Sequence, residues 1–228
     1  RVWPLSALIR SMGAYFIRRG SRNALYRKVL ARYVQMATEE GTTQAMFPEG
    51  GLGLDGRVGS AKLGLLSYIV EGWTPHARDV VFVPVGLAYD RVLEDRVLVE
   101  AAQSGARRFR NRPLWVAWHG LRFLWARFRG RTKGFGTAAA GFGAPVSLRE
   151  HLAAGGTVEG LGERLMAAIA AVVPVLPVPL VARALGEGAE SREELAARVE
   201  ALVARLRAAG AVLKLPPVGG ASVLDEGL

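Results

Sequence analysis

Residues 45–59 read AMFPEGGLGLDGRVG. An apolar run, Ala45, Met46 and Phe47, stops at Pro48, and one carboxylate, Glu49, follows it. Four glycines, Gly50, Gly51, Gly53 and Gly56, and then a cation, Arg57, come next. The pattern predicts a strand end opening into a loop whose backbone comes close to whatever it faces, because glycine adds no Cβ. Uncovered N–H groups in such a loop make a concavity suited to phosphate or another anion. The same residues also describe an ordinary glycine-rich turn, so the meaning of the stretch depends on its flanks.

Upstream, residues 2–12 predict a short helix or turn leading in, and Gly13–Ile17 (GAYFI) predicts a strand that runs into Arg18 and Arg19. Two guanidinium forks at a strand end match a phosphate; a solvated basic turn is the plainer alternative. Between Asn23 and Glu40, Leu25, Val29, Tyr33 and Met36 fall at helical spacing, with Ser21 or Asn23 as cap and Gly41 as stop. Gln44–Phe47 then predicts a short second strand entering the loop.

Downstream, Ala61–Glu71 predicts a helix closed by Gly72. Val80–Tyr89 (VVFVPVGLAY) is the strongest strand signal, long and apolar enough to be central. Pro84 inside it requires a bulge or an end to pairing; a strand interrupted beside a ligand site and a plain edge strand both fit. The alternation of strands and helices predicts an α/β fold, a mixed sheet flanked by helices.

The composition then breaks. Residues 101–149 contain no Asp or Glu but ten basic residues. Within them Leu114, Trp118, Leu121, Trp125 and Phe128 alternate steps of four and three, with Trp115 alongside and Arg122 inside the stripe. A basic aromatic helix over about residues 107–129 suits a membrane interface; a core-packing helix with a basic outer face fits as well. No zinc-finger, RNP or helix-turn-helix pattern supports nucleic acid as a partner.

Phe135–Val146 reads as a strand and then a turn at Gly143–Pro145, and Val158–Val173 as a helix. Residues 165–182 are uncharged and long enough by count to span a bilayer. Pro174, Pro177 and Pro179 instead divide them into two buried segments around a bend. Ser191–Leu206 opens with a Ser-x-x-Glu capping box, Ser191 to Glu194, and stops at Gly210; the turn-rich tail from Leu215 is expected to fray. The expected organisation is an α/β domain over residues 1–150 and a helical C-terminal region over 151–228.

The 228 residues suffice for a one-domain core. A formal net charge of +10 favours acidic partners, such as phosphorylated metabolites or anionic lipid. With no cysteine, disulfide and thiolate chemistry are excluded, and three isolated histidines argue against a metal cluster. The sequence opens on Arg with no signal segment, so a piece of a longer polypeptide is expected.

Three stretches in order, GAYFIRR at 13–19, FPEGG at 47–51 and VPVGLAYDRV at 83–92, resemble the second, third and fourth sequence blocks of the glycerolipid acyltransferases. Lys62 and GFGAPVSL at 141–148 continue the resemblance over most of the chain. The Phe-Ile-Arg-Arg form of the second block is most similar to the membrane glycerol-3-phosphate 1-acyltransferases. The resemblance implies a glycerolipid-acyltransferase-like fold. It also implies transfer of an acyl group from acyl-CoA or acyl-carrier protein to the sn-1 hydroxyl of glycerol 3-phosphate, giving lysophosphatidate. The expected place is the cytoplasmic face of a membrane, peripheral or monotopic, beside anionic lipid. No metal or cofactor is implied, because the thioester is already activated.

Carried over by residue, the resemblance gives Arg18 and Arg19 the acceptor phosphate, and Glu49, Gly50 and Gly51 the shape of the acceptor pocket. Arg57 and Lys62 would add positive charge, and Pro84 would lie on the acyl-donor side. Two departures qualify the match. Leu52-Gly53-Leu54 stands where the family carries Arg and Ser, which removes contacts of about 1.5–3 kcal/mol each unless Arg57 replaces them. The family's catalytic His-x-x-x-x-Asp is also missing, since the residues five beyond His76, His119 and His151 are Val81, Leu124 and Gly156. In the family that pair precedes the GAYFIRR block, so the dyad is expected upstream and no catalytic base within these residues. Dihydroxyacetone phosphate or 1-acylglycerol 3-phosphate as acceptor, and an inactive membrane-surface protein of the same fold, are the alternative readings.

Overall fold

A computed structural model describes residues 5–15, 17–18, 21–50, 57–90, 125, 129, 137–189, 191–216 and 220–227. The chain forms two compact units, residues 1–45 with 64–78, and residues 46–63 with 79–228.

The first unit is helical, with α1 (Leu5–Ser11), α2 (Ala24–Glu39) and α3 (Gly64–Gly72). Asn23 starts α2: its Oδ1 accepts the Tyr26 N–H at 3.0 Å, satisfying an amide that the first turn leaves without a partner. The N–H groups of Gly41 and Thr42 close the helix on the Thr38 and Ala37 carbonyls, at 3.0 and 2.9 Å. Val34 of α2 is buried with Leu66 and Ile69 of α3, and the Gln35 stem lies over Gly72.

The strand expected at Gly13–Ile17 is not formed by its described residues, because the local backbone is spent elsewhere. Gly13 and Ala14 donate to the Arg10 and Ile9 carbonyls to close α1, at 2.9 and 3.2 Å, and the Arg18 N–H donates to the Tyr26 hydroxyl at 2.9 Å. The strand expected at Gln44–Phe47 is irregular as well. The Phe47 carbonyl accepts Gly50 N–H at 3.0 Å and the Pro48 carbonyl accepts Lys62 N–H at 2.6 Å, which ties that end into a turn rather than a ladder. Helix α3 begins at Gly64 and not at Ala61.

In the second unit β1 (Val81–Phe82) and β2 (Val85–Tyr89) meet β4 (Val146–Ser147) and β3 (Ala138–Phe142), respectively, all antiparallel. Phe82 faces Val146 and Val85 faces Phe142, so Val83 and Pro84 stand against Gly143, Ala144 and Pro145. Two residues against three make a bulge, which is where a strand tolerates a residue without an N–H. The Pro84 carbonyl still accepts Gly143 N–H at 2.9 Å. The long strand is therefore interrupted as its proline requires, and among the described residues each half pairs with one neighbour only. Val81, Val83, Val85, Leu87 and Tyr89 are exposed on one face, and the described sheets are two-stranded antiparallel pairs rather than one mixed sheet. The fold is α/β in the broad sense of helices packed with small strand pairs.

Helices α4 (Leu148–Ala153), α5 (Val158–Val172), α6 (Pro177–Gly186), α7 (Arg192–Ala208) and α8 (Gly220–Gly227) follow. The uncharged run does divide at its prolines, with Pro177 in the first turn of α6, where a missing N–H costs nothing. Ser191 Oγ accepts Glu194 N–H at 3.1 Å and starts α7. Leu180, Val181 and Ala184 of α6, Leu195, Val199 and Leu202 of α7, and Val223 and Leu224 of α8 bury one another. The tail thus forms a helix rather than fraying, because burying Val223 and Leu224 outweighs a turn-rich composition.

The start of β1 is fixed by Asp79, whose Oδ2 accepts Ser147 Oγ–H at 2.6 Å and whose Oδ1 accepts Arg149 N–H at 3.0 Å. Partial burial alone would push this carboxyl up. The hydrogen bonds from Ser147, Arg149 and Val80, with the charge of Arg149, outweigh that and hold it below the ordinary carboxylate range. Ser147 Oγ in turn accepts Glu150 N–H at 3.1 Å and caps α4.

Across β2 and β3, Gly86 faces Gly141, and both lie against the end of α5. A Cβ on Gly86 would sit 2.6 Å from Val173 N, and one on Gly141 2.0 Å from the Val172 carbonyl oxygen.

Gly86→Ala and Gly141→Ala should each lose about 1–3 kcal/mol in urea unfolding, since the clash is with backbone. Gly64→Ala, which meets nothing within 4 Å, should be neutral or slightly stabilising. Ser147→Ala should cost about 1 kcal/mol at neutral pH and move the Asp79 titration, followed by NMR, up toward the ordinary carboxylate range, because one of the hydrogen bonds that lowers it is lost. A depressed carboxyl contributes stability that is full above its unfolded pKa and is lost as pH falls through its folded one. The Ser147→Ala penalty should therefore shrink in acid.

Candidate functional site

The glycine-rich loop is pinned at its base. The Phe47–Gly50 turn, with Pro48 pre-set for its first corner, closes through the Gly50 N–H. Gly50 has φ +65°, a conformation that side chains disfavour, and a Cβ there would also meet Lys62 Cγ at 2.9 Å. Glu49 Oε1 reaches across to accept the Gly59 N–H at 2.7 Å. With the Lys62–Pro48 bond this makes a clasp of two hydrogen bonds between residues 48–49 and 59–62. The clasp brings Glu49, Gly50 and Lys62 together, and Arg57, two residues before Gly59, is exposed at the surface like Lys62. The sequence singles out these residues but gives no sign that the carboxylate holds the returning arm of the loop.

Arg18 belongs to the other unit. It is exposed, and its backbone is held by Tyr26. Close by in sequence, the Tyr15 ring meets the Tyr33 ring edge-on at 5.1 Å. Burial, and then the Tyr33 hydroxyl, push the Tyr15 phenol up, so it is neutral near pH 7. Pro84 is buried at the bulge of the strand pair, with the Gly86 and Gly141 contact to α5 beside it. Those two glycines are what the sequence reading missed: each stands in a quoted motif, and nothing local marks their shared contact with α5.

Asp90, at the end of β2, is a second unforeseen anchor. Its Oδ2 accepts Thr137 N–H at 2.9 Å and its Oδ1 accepts Val178 N–H at 3.4 Å. Leu176 offers α6 no side-chain cap, so Asp90 serves the N-terminus of that helix from a distant part of the chain. Arg19, Gly51, Trp115, Trp118, Arg122 and Phe128 lie outside the described residues. Trp125 is 58% exposed, with the Arg129 guanidinium stacked 3.6 Å from its ring centre. A cavity of about 170 Å³ in the first unit, lined in part by Gln35, Trp73 and Arg78, contains none of the expected site residues. It is smaller than the roughly 300–1,000 Å³ of most ligand pockets.

Residues 1–88 match the family model described as Acyltransferase. Over 155 residues the chain is 30% identical to glycerol-3-phosphate acyltransferase 1, mitochondrial, of Homo sapiens, covering 64% of this chain and 18% of that protein. The mouse protein of the same name is 31% identical over 155 residues, with the same 64% and 18% coverage. Glycerol-3-phosphate acyltransferase of Shewanella loihica is 30% identical over 152 residues, covering 66% of this chain and 18% of that protein. The chain thus spans less than a fifth of the length of the curated relatives it matches, at 18%. No solved structure matches it. The matched residues 1–88 hold the Arg18, Glu49 and Pro84 segments, so it is this part of the chain that is similar to the acyltransferases. Among glycerolipid acyltransferases, the chain is similar to the glycerol-3-phosphate acyltransferases.

Glu49→Ala should speed hydrogen exchange at the Gly59 amide by about tenfold or more, the equivalent of one charge-assisted hydrogen bond, and leave α7 unchanged. An unchanged Gly59 rate would show that the clasp does not hold in solution.

Proposed function

We propose that the polypeptide carrying these residues is a glycerol-3-phosphate O-acyltransferase. It transfers a fatty acyl group from acyl-CoA or acyl-carrier protein to the sn-1 hydroxyl of glycerol 3-phosphate and yields lysophosphatidate for phospholipid synthesis. The observation that carries this reading is the identity of 30% to glycerol-3-phosphate acyltransferases over about two thirds of the chain.

In this reading residues 1–150 are the acyltransferase domain, with the mixed-sheet fold of the glycerolipid acyltransferases, and 151–228 a helical appendage. Arg18 and Arg19 hold the acceptor phosphate by forked, charge-assisted hydrogen bonds. Glu49, Gly50 and Gly51 shape the acceptor pocket, the clasp keeping Arg57 and Lys62 where their charge serves it, and Pro84 lies on the donor side. The acceptor hydroxyl adds to the thioester carbonyl and the thiolate leaves, which requires a base to take the hydroxyl proton. None of the three histidines here has an Asp five residues on, so the base comes from elsewhere in the polypeptide. The protein works at the cytoplasmic face of a membrane, peripheral or monotopic, with the 107–129 stripe at the interface. No described helix is long and apolar enough to cross a membrane.

The test is thiol release from an acyl donor by the full polypeptide in membranes. Release that depends on glycerol 3-phosphate supports the reading, and release with another acceptor only would reassign the substrate. No acceptor-dependent release would remove the activity. Arg18→Ala should raise KM for glycerol 3-phosphate about tenfold or more, the loss of one charged hydrogen bond, with KM for the donor unchanged. An equal rise in both would take the phosphate role from Arg18.

A further inference from the structure

The chain at Arg18 is tied to α2 at two points. The Tyr15 ring meets the Tyr33 ring edge-on at 5.1 Å, and the Arg18 N–H donates to the Tyr26 hydroxyl at 2.9 Å. Tyr26 and Tyr33 are seven residues apart on α2, two turns, and so share one face of the helix. Tyr15 and Arg18 are three residues apart and run the opposite way, Tyr15 on Tyr33 and Arg18 on Tyr26. Three residues of extended chain reach about 10 Å, and seven residues of helix rise about 10.5 Å, so the two spacings match. The Tyr26 tie is itself anchored: Asn23 Oδ1 accepts the Tyr26 N–H at 3.0 Å, and the Tyr26 side chain is half-buried.

The Arg18–Tyr26 bond lies at the surface, where water would satisfy that N–H as well. Its share in stability is therefore small, and what it supplies is position. An anchored backbone leaves only the Arg18 side-chain torsions to be ordered when a ligand binds, which lowers the entropic cost of binding.

We infer that Tyr26 is a positioning residue for the acceptor phosphate. Its hydroxyl, with the Tyr33 ring as the second point of support, holds the Arg18 backbone where the guanidinium meets that phosphate. The inference rests on the reading of Arg18 as a phosphate ligand in a glycerol-3-phosphate acyltransferase, and adds to it a residue that touches neither substrate.

The test uses the full polypeptide in membranes and Tyr26→Phe, which removes the hydroxyl and keeps the ring. KM for glycerol 3-phosphate should rise about fivefold, the loss of one neutral hydrogen bond, with kcat and the donor KM unchanged. In an Arg18→Ala background the same substitution should add nothing, because Tyr26 acts through Arg18. Hydrogen exchange at the Arg18 amide should quicken about fivefold in Tyr26→Phe while the melting temperature holds. A fall in kcat, an equal rise in both KM values, or a full further rise in the Arg18→Ala background would overturn the inference, since each gives Tyr26 a different role. Unchanged kinetics in an active protein would overturn it too, as would an unchanged Arg18 amide. Failure of the acyltransferase reading looks different. The unsubstituted protein would then release no thiol in response to glycerol 3-phosphate, and the phosphate role of Tyr26 would go with it, whereas the Arg18 amide would still report whether the tie exists.

Discussion

The second unit depends on a close approach between backbones. Gly86 and Gly141 face each other across an antiparallel pair, and the end of α5 comes down on both, near enough that a methyl group has no room at either. The contact sets where α5 stops, and Val172 there is followed by the proline-divided turn that aims α6 into its core with α7 and α8. It also holds the strand pair just past the bulge, which fixes Pro84. Asp90 adds a polar tie between the same layers by serving the first turn of α6. A packing constraint and a single carboxylate thus connect a segment that resembles an acyltransferase block to helices far along the chain.

The glycine-rich loop follows a different logic. Its carboxylate is spent on a backbone amide, and its first glycine supplies a left-handed turn under the Lys62 stem. Chain reversal over such a loop costs conformational entropy, and the paired ends at 48–49 and 59–62 recover part of it through two short hydrogen bonds.

Much of this was legible in the residues, and the misses share one cause. Helix limits that rest on local chemistry, such as Asn23 to Gly41 and Ser191 to Gly210, came through, as did the proline division of the uncharged run and the bulge at Pro84. The strands expected at 13–17 and 44–47 failed because β-propensity expresses a fit to neighbours, and there the backbone groups were taken by helix ends and a turn. The tail helix failed in the opposite direction: Val223 and Leu224 found a core that no local window could show. For the site, the residue types at 49, 50, 57 and 62 were readable, while the Glu49–Gly59 bond and the Gly86–Gly141 contact with α5 were not, since each joins positions that no short motif links.

The bulge has a bearing on how the molecule assembles. Because β1 meets β4 while β2 meets β3, the two pairs are nested about one long excursion, and even the innermost partners, Tyr89 and Ala138, are far apart in sequence. Closing such an excursion is entropically expensive before any pairing rewards it, whereas α6, α7 and α8 collect their contacts from near neighbours. The order that follows is α6, α7 and α8 first and the strand pair late, with α5 seated only when Gly86 and Gly141 are there to receive it.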